Sequence, residues 1–143
     1  MLAGAGSTTP MTSFASSEAD AVVQICSHYL MLEQRREHLL VRSGEVETWL
    51  AEHHNWFALS RVQRRAVSEA QALYDIDEEL EQIGRTTARF IEMLGRMSGQ
   101  NLSSVIAKLE VLAREIEPDD YPPAHTVLLG AITDLKRLFL LGI

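Results

Sequence analysis

A single cysteine, Cys26, stands among the 143 residues, which excludes an intramolecular disulfide and a zinc site built from several thiolates. Its place beside Ile25 in an apolar run predicts a buried small hydrophobe rather than a reactive thiol. Proline is scarce: Pro10 lies near the start, and Pro118, Pro122 and Pro123 lie near the end. No apolar run approaches the ~18 residues of a membrane span. The C-terminal Leu138-Phe-Leu-Leu-Gly-Ile143 is short, and Asp134, Lys136 and Arg137 interrupt it upstream. Lysine occurs only at Lys108 and Lys136, and the formal net charge is −7, so a general polyanion binder is not expected. The uncharged start of the chain has neither the basic opening nor the apolar run of a secretory signal. The expected location is the cytoplasm.

Sites for chemistry are missing too. There is no G-x-S-x-G, no Walker glycine loop, and no G-x-G-x-x-G after a strand. His28, His38, His53, His54 and His125 lack the spacing of a zinc site, and no Glu has a His three residues later as a carboxylate di-iron bundle requires. The acidic run Asp75-Ile-Asp77-Glu-Glu79-Leu-Glu81 has no glycine and no loop geometry for calcium. No carboxylate sits alone in an apolar run where burial would raise its pKa for acid–base work. The expectation is a noncatalytic protein with no metal and no cofactor.

What the chain does have is helical periodicity. A heptad series runs through Val22, Ile25, Tyr29, Leu32, Arg36, Leu39, Ser43, Val46, Leu50, His53 and Phe57, with eight of eleven positions apolar. A second runs through Val62, Ala66, Glu69, Leu73, Ile76, Leu80, Ile83, Thr87, Phe90, Leu94 and Met97, with nine of eleven apolar. Apolar residues alternating at three and four over this length predict two helices packed along a seam. The short break at Asn55 to Leu59 makes them antiparallel neighbours.

The punctuation predicts an all-α fold. Residues 1–16, rich in Gly, Ala, Ser and Thr, read as a disordered tail, and 17–143 as a single helical domain. Ser17 with Asp20 looks like a capping box opening a first helix over about 17–54, with Ser43-Gly44 as a possible kink. Ser60 with Gln63 forms a second capping box and opens a helix over about 60–97, closed by Ser98-Gly99. Shorter helices follow over about 102–117, ended by Pro118, and about 123–141, opened by Pro122-Pro123. The two long helices form a coiled-coil-like antiparallel hairpin. The broad apolar character of Ala21 to Leu32 places the two shorter helices at that end, as a four-helix bundle.

The opposite end carries the candidate site. Trp49 and Trp56 lie seven apart on one stripe, next to Leu50 and Phe57, with His53, His54, Arg61, Arg64 and Arg65 around them. One reading closes the hairpin with the aromatics and pairs the arginines with Glu47 and Glu52. The other is an aromatic-and-arginine binding surface, the composition of interface hot spots, with Trp49, His53, Trp56, Phe57, Arg61, Arg64 and Arg65 as partner-binding residues. A two-helix tip has few neighbours with which to bury two Trp and a Phe, which keeps the second reading strong beside the first. Along the hairpin, antiparallel register predicts Arg42 and Arg36 beside Asp75 and Glu79, with His38 near Asp77.

Residues 90–112 have a helix-turn-helix-like order, with 103–112 as the reading helix, and supply the alternative of an acidic DNA-binding regulator. That helix offers Lys108 and Arg114 against Glu110, Glu115 and Glu117, so nucleic acid is the weaker expectation. Val105-Ile-Ala-Lys-Leu-Glu-Val-Leu112 after a Gly/Ser-containing turn resembles short all-helical bacterial proteins of unknown function, some of them prophage-associated. The resemblance spans Leu32 to Leu112 in pattern, implies no catalytic residue, and stops at the Pro-Pro-led last helix. A protein partner or self-association is the leading expectation.

Overall fold

The computed structural model describes residues 12–142, with side chains from Glu18 onward. The fold is all-α, and no strand occurs among the described residues. In chain order the helices are α1 (Thr12–His54), α2 (Arg61–Arg65), α3 (Gln71–Arg96), α4 (Leu102–Glu115) and α5 (Pro122–Leu140). Single 3-10 turns at Trp56–Ala58 and Ser68–Ala70 flank α2. No helix among the described residues is long and apolar enough to cross a membrane.

The start of the first helix differs from the sequence expectation. α1 begins at Thr12, so the Ser17–Asp20 pair lies within it and residues 12–16 are helical instead of disordered tail. Nothing between Thr12 and Gly44 breaks a helix, and extending an existing helix costs far less than starting one. The rest of the expected tail lies outside the described residues. Ser43-Gly44 does not interrupt α1. Thr48 Oγ1 donates to the Gly44 carbonyl at 2.8 Å, bridging the turn that follows the glycine.

The expected helix over about 60–97 is broken. α2 lasts five residues, the Ala66 N–H turns back to the Gln63 and Arg64 carbonyls, and Val67 is extended at φ −85, ψ 108. Burial supplies the reason. Leu50, Trp56, Ala70 and Leu73 form a core cluster against which Val46, Leu59 and Val67 pack. A straight helix through this segment would hold the Val62, Ala66, Glu69 seam inward; the bend delivers Val67 and Ala70 and leaves Val62, Ala66 and Glu69 exposed.

The contacts fall into two compact units. In the His28–Glu92 unit, α1 and α3 run antiparallel. Leu39, Ile76 and Ile83 form a buried cluster lined by Leu32 and Leu80, and His28 stacks with Phe90 at 6.5 Å between centroids. From Leu73 onward the predicted seam holds, with Thr87 buried and its hydroxyl donating to the Ile83 carbonyl at 3.0 Å. Burial of Glu33 was not expected; its carboxylate meets Arg36 Nη2 at 2.9 Å.

The other unit gathers the start of α1, up to Ser27, with the chain from Met93 onward. Its buried residues include Val22, Cys26, Leu94, Ile106, Val111 and Ile132. Burial pushes the Cys26 thiol pKa up, as befits an inert core thiol. Asn101 caps α4 in a reciprocal pair with Ser104, which is fully buried. A Cβ on Gly99 would stand 2.7 Å from Val105 Cγ2, so a larger residue in this turn would make the Val105 side chain shift. α4 ends at Glu115, just before the expected boundary, since Pro118 disfavours helix in the residue before it. α5 opens on the proline pair as expected and packs on α4, with His125 Nε2 donating to the Ala113 carbonyl at 3.2 Å and Lys136 paired with Glu110.

One of the predicted ion pairs shifts by one position, and the Arg42–Asp75 pair is replaced by contacts within each helix. Arg35, not Arg36, reaches Glu79, through two bonds at 2.7 and 3.0 Å. Arg42 turns to Glu45 within its own helix, and Asp75 accepts from Gln71. Arg36 is engaged by Glu33, which frees the neighbouring position to cross. Hydrogen bonding from Arg35 holds the Glu79 carboxyl below the usual carboxylate range. A pKa lower in the folded than in the unfolded chain stabilises the fold above the unfolded value, and that contribution vanishes as pH falls through the folded one. Glu79→Gln is therefore expected to lower stability at neutral pH and to lose less on acidification than the parent chain. Urea unfolding at neutral and acidic pH measures both.

Candidate interaction surface at the helical turn

Asn55 sets the turn. Its backbone is left-handed at φ 51, a conformation asparagine tolerates better than most residues. The chain leaves α1 there and enters the Trp56–Ala58 turn, in which consecutive side chains diverge. Trp56 is buried, whereas Phe57 is 68% exposed. The Ser60–Gln63 capping box forms as predicted, with the Ser60 N–H donating to Gln63 Oε1 at 2.8 Å and the Gln63 N–H to Ser60 Oγ at 3.2 Å. It fixes where α2 starts.

Arg64 ties the turn down. Its guanidinium lies 4.9 Å from the Trp56 ring centroid, Nε donates to the Trp56 carbonyl at 3.2 Å, and Nη2 reaches the Phe57 carbonyl at 3.5 Å. Cation–π attraction and two backbone contacts thus come from one side chain. Trp56 and Arg64, both expected on a binding surface, are structural members of the cap.

The other predicted residues remain accessible. Trp49 is 40% exposed and stacks on His53 with centroids 4.5 Å apart and planes at 16°, while His54 lies tilted at 5.4 Å. His53 Nδ1 sits 2.8 Å from the Trp49 carbonyl, which can only accept, so Nδ1 carries the proton in this bond. His54 Nε2 lies 3.8 Å from Glu69. Trp49 lines an open groove of about 400 Å³ with Arg42, Glu45, Val46, Glu69 and Ala72. Arg61 and Arg65 are exposed. Among the described residues neither has a carboxylate partner, so they do not pair with Glu47 or Glu52.

Sequence reasoning missed two features. Val62, placed in the seam, is 79% exposed beside Arg61. The bend before α3 had a signal in Ser68-Glu-Ala-Gln71, which has the Ser-x-x-Gln form of a helix start. In the helix-turn-helix-like segment, Ser104, Ile106 and Val111 are buried, Lys108 Nζ donates to the Met97 carbonyl at 2.8 Å, and Glu110 is taken by Lys136.

Comparison with protein-family models, with curated proteins and with solved structures finds no match.

Adjacent aromatics with opposite burial give a direct test of the cap. Trp56→Ala is expected to cost about 3–5 kcal/mol, Arg64→Ala about 1–2 kcal/mol, and Phe57→Ala no more than about 0.5 kcal/mol. Equilibrium urea unfolding of the three variants measures this order.

Proposed function

We propose that this chain is a noncatalytic helical protein-interaction module that docks a partner through the turn end of the His28–Glu92 unit. One observation carries the reading. Trp56 and Arg64 are spent on holding the turn, while Phe57, Arg61, Val62 and Arg65, in the same short stretch, are left exposed without an internal use. Apolar anchors and arginines on a preorganised support are the composition of binding hot spots, and rigidity before binding lowers the entropy cost of docking.

The free guanidinium groups define the partner's chemistry: a protein segment with an apolar anchor for Phe57 and Val62 and carboxylates for Arg61 and Arg65. Trp49 and its two histidines offer a further aromatic contact along α1. The cytoplasm is the setting that fits a chain whose lone cysteine is a buried thiol. The DNA-binding alternative has no comparable observation in its favour, because Lys108 is engaged by the fold.

The test is affinity capture of the tagged chain from nuclease-treated native lysate, with mass spectrometry of the bound proteins. A Phe57→Ala, Val62→Ala double variant is expected to keep its circular dichroism spectrum and its unfolding midpoint while losing a partner that the parent retains. Reversal of Arg61 and Arg65 to Glu is expected to remove the same protein. Retention of that protein by both variants would sink the proposal.

A further inference from the structure

Trp49 stands at the edge of a groove that the chain leaves open. Helical side chains lean toward the N-terminus of their helix, so the indole lies over the turn of Glu45 and Val46. These three residues line a groove of about 400 Å³ together with Arg42, Glu69 and Ala72. His53 approaches the indole from the C-terminal side. Its ring stacks there with centroids 4.5 Å apart, and its Nδ1 is held by the Trp49 carbonyl at 2.8 Å. The indole is therefore oriented before anything enters the groove.

The facing wall is acidic. The Glu69 carboxylate accepts from the Ser68 hydroxyl at 3.1 Å. Hydrogen bonds from its own backbone N–H and from that hydroxyl hold its pKa below the usual carboxylate range, so it is ionised at neutral pH. A carboxylate offers about four acceptor sites, which leaves capacity for a donor from outside. His54 joins the two walls, tilted against Trp49 at 5.4 Å between centroids and 3.8 Å from Glu69. Arg42 is the one guanidinium among the lining residues, and Glu45 engages it at 3.3 Å. That pair cancels in charge, and Glu69 leaves the groove negative.

We propose that this groove is a guanidinium subsite, which takes an arginine side chain of the protein partner stacked on the Trp49 indole and donating to the Glu69 carboxylate. A guanidinium suits both walls. It is flat and weakly hydrated, stacks on aromatic faces, and presents a fork that fits a carboxylate, whereas an ammonium is a strongly hydrated point charge. The molecule makes the same kind of contact internally, where Arg64 lies 4.9 Å from the Trp56 ring centroid and donates to the Trp56 carbonyl. Among the described residues no arginine lies over Trp49. The subsite deepens the turn-end reading and rests on it for the source of the arginine. The partner then carries carboxylates for Arg61 and Arg65 and an arginine for Trp49, and these opposite charges fix the direction in which it docks.

Nuclear magnetic resonance of the isotope-labelled full chain tests the subsite without the partner, with the two indole N–H signals assigned by a Trp49→Phe variant. Nα-acetyl-arginine amide, added over a millimolar series at constant ionic strength, is expected to shift the Trp49 signal saturably and to leave that of the buried Trp56 in place. Its neutral isostere, Nα-acetyl-citrulline amide, is expected to shift neither. Glu69→Gln is expected to weaken binding about two- to fivefold, and Arg42→Gln, which removes the competing cation and frees Glu45, to tighten it by a similar factor. A gain of binding is not something a damaged fold produces. A Trp49 signal that does not respond, a citrulline response equal to that of arginine, or binding unchanged in either variant overturns the proposal. Phe57→Ala with Val62→Ala is expected to leave this titration unchanged, so a partner retained by that variant overturns turn-end docking alone, and an unresponsive Trp49 overturns the subsite alone.

Discussion

The geometry of the turn depends on burying one indole. Two straight antiparallel helices leave their open end with too few neighbours to enclose a tryptophan, and Trp56 lies at that end. Enclosing it requires the chain to fold back. The left-handed Asn55 starts the turn, and the Ser60–Gln63 box restarts helix. The bend at Val67 then brings Val67 and Ala70 against Leu50 and Leu73. Arg64 closes the arrangement by covering the ring and binding the carbonyls of the turn. Hydrophobic burial sets the demand, and local hydrogen-bonding chemistry meets it. The intrinsic preference of Arg61 to Met97 for helix is overruled for five residues around the bend.

That override explains which parts were legible beforehand. Seam positions from Leu73 to Leu94 could be read from spacing because a long helix facing another keeps register by repetition. Val62, Ala66 and Glu69 followed the same arithmetic and fell outside the core, because periodicity is blind to a neighbour that demands a bend. Trp56 was judged by counting helices. The cap is made of turn residues that such a count omits, so its burial was invisible. The Ser60–Gln63 box was readable because it is wholly local: two side chains, two backbone donors and a fixed spacing. Arg35–Glu79 was nearly readable, one residue from its expected place. The error came from Glu33, whose burial engages Arg36 and for which the sequence offers no local cue.

The candidate surface was legible as a neighbourhood and illegible as a division of labour. Composition gathers seven residues around the turn, but two of them support the fold and five remain outside. Consecutive Trp56 and Phe57 show why. A 3-10 turn advances about 120° per residue, so when one aromatic faces the core its neighbour cannot. Only the side that the cap closes decides which is which, and that depends on Val67, ten residues further along.

A local rule broken with no internal compensation points to an external use. Arg61 begins a helix, where the backbone dipole disfavours a cation, and no carboxylate offsets it among the described residues. Arg65 is likewise unpaired, although the chain is acidic overall and most of its other arginines meet carboxylates or carbonyls of their own surface. Chance scattering of charge in a chain with twenty acidic residues would tend to supply such partners. Their absence beside Phe57 and Val62 keeps this stretch both more positive and more apolar than stability alone requires, and it is the combination that an acidic, apolar-anchored protein segment would complete.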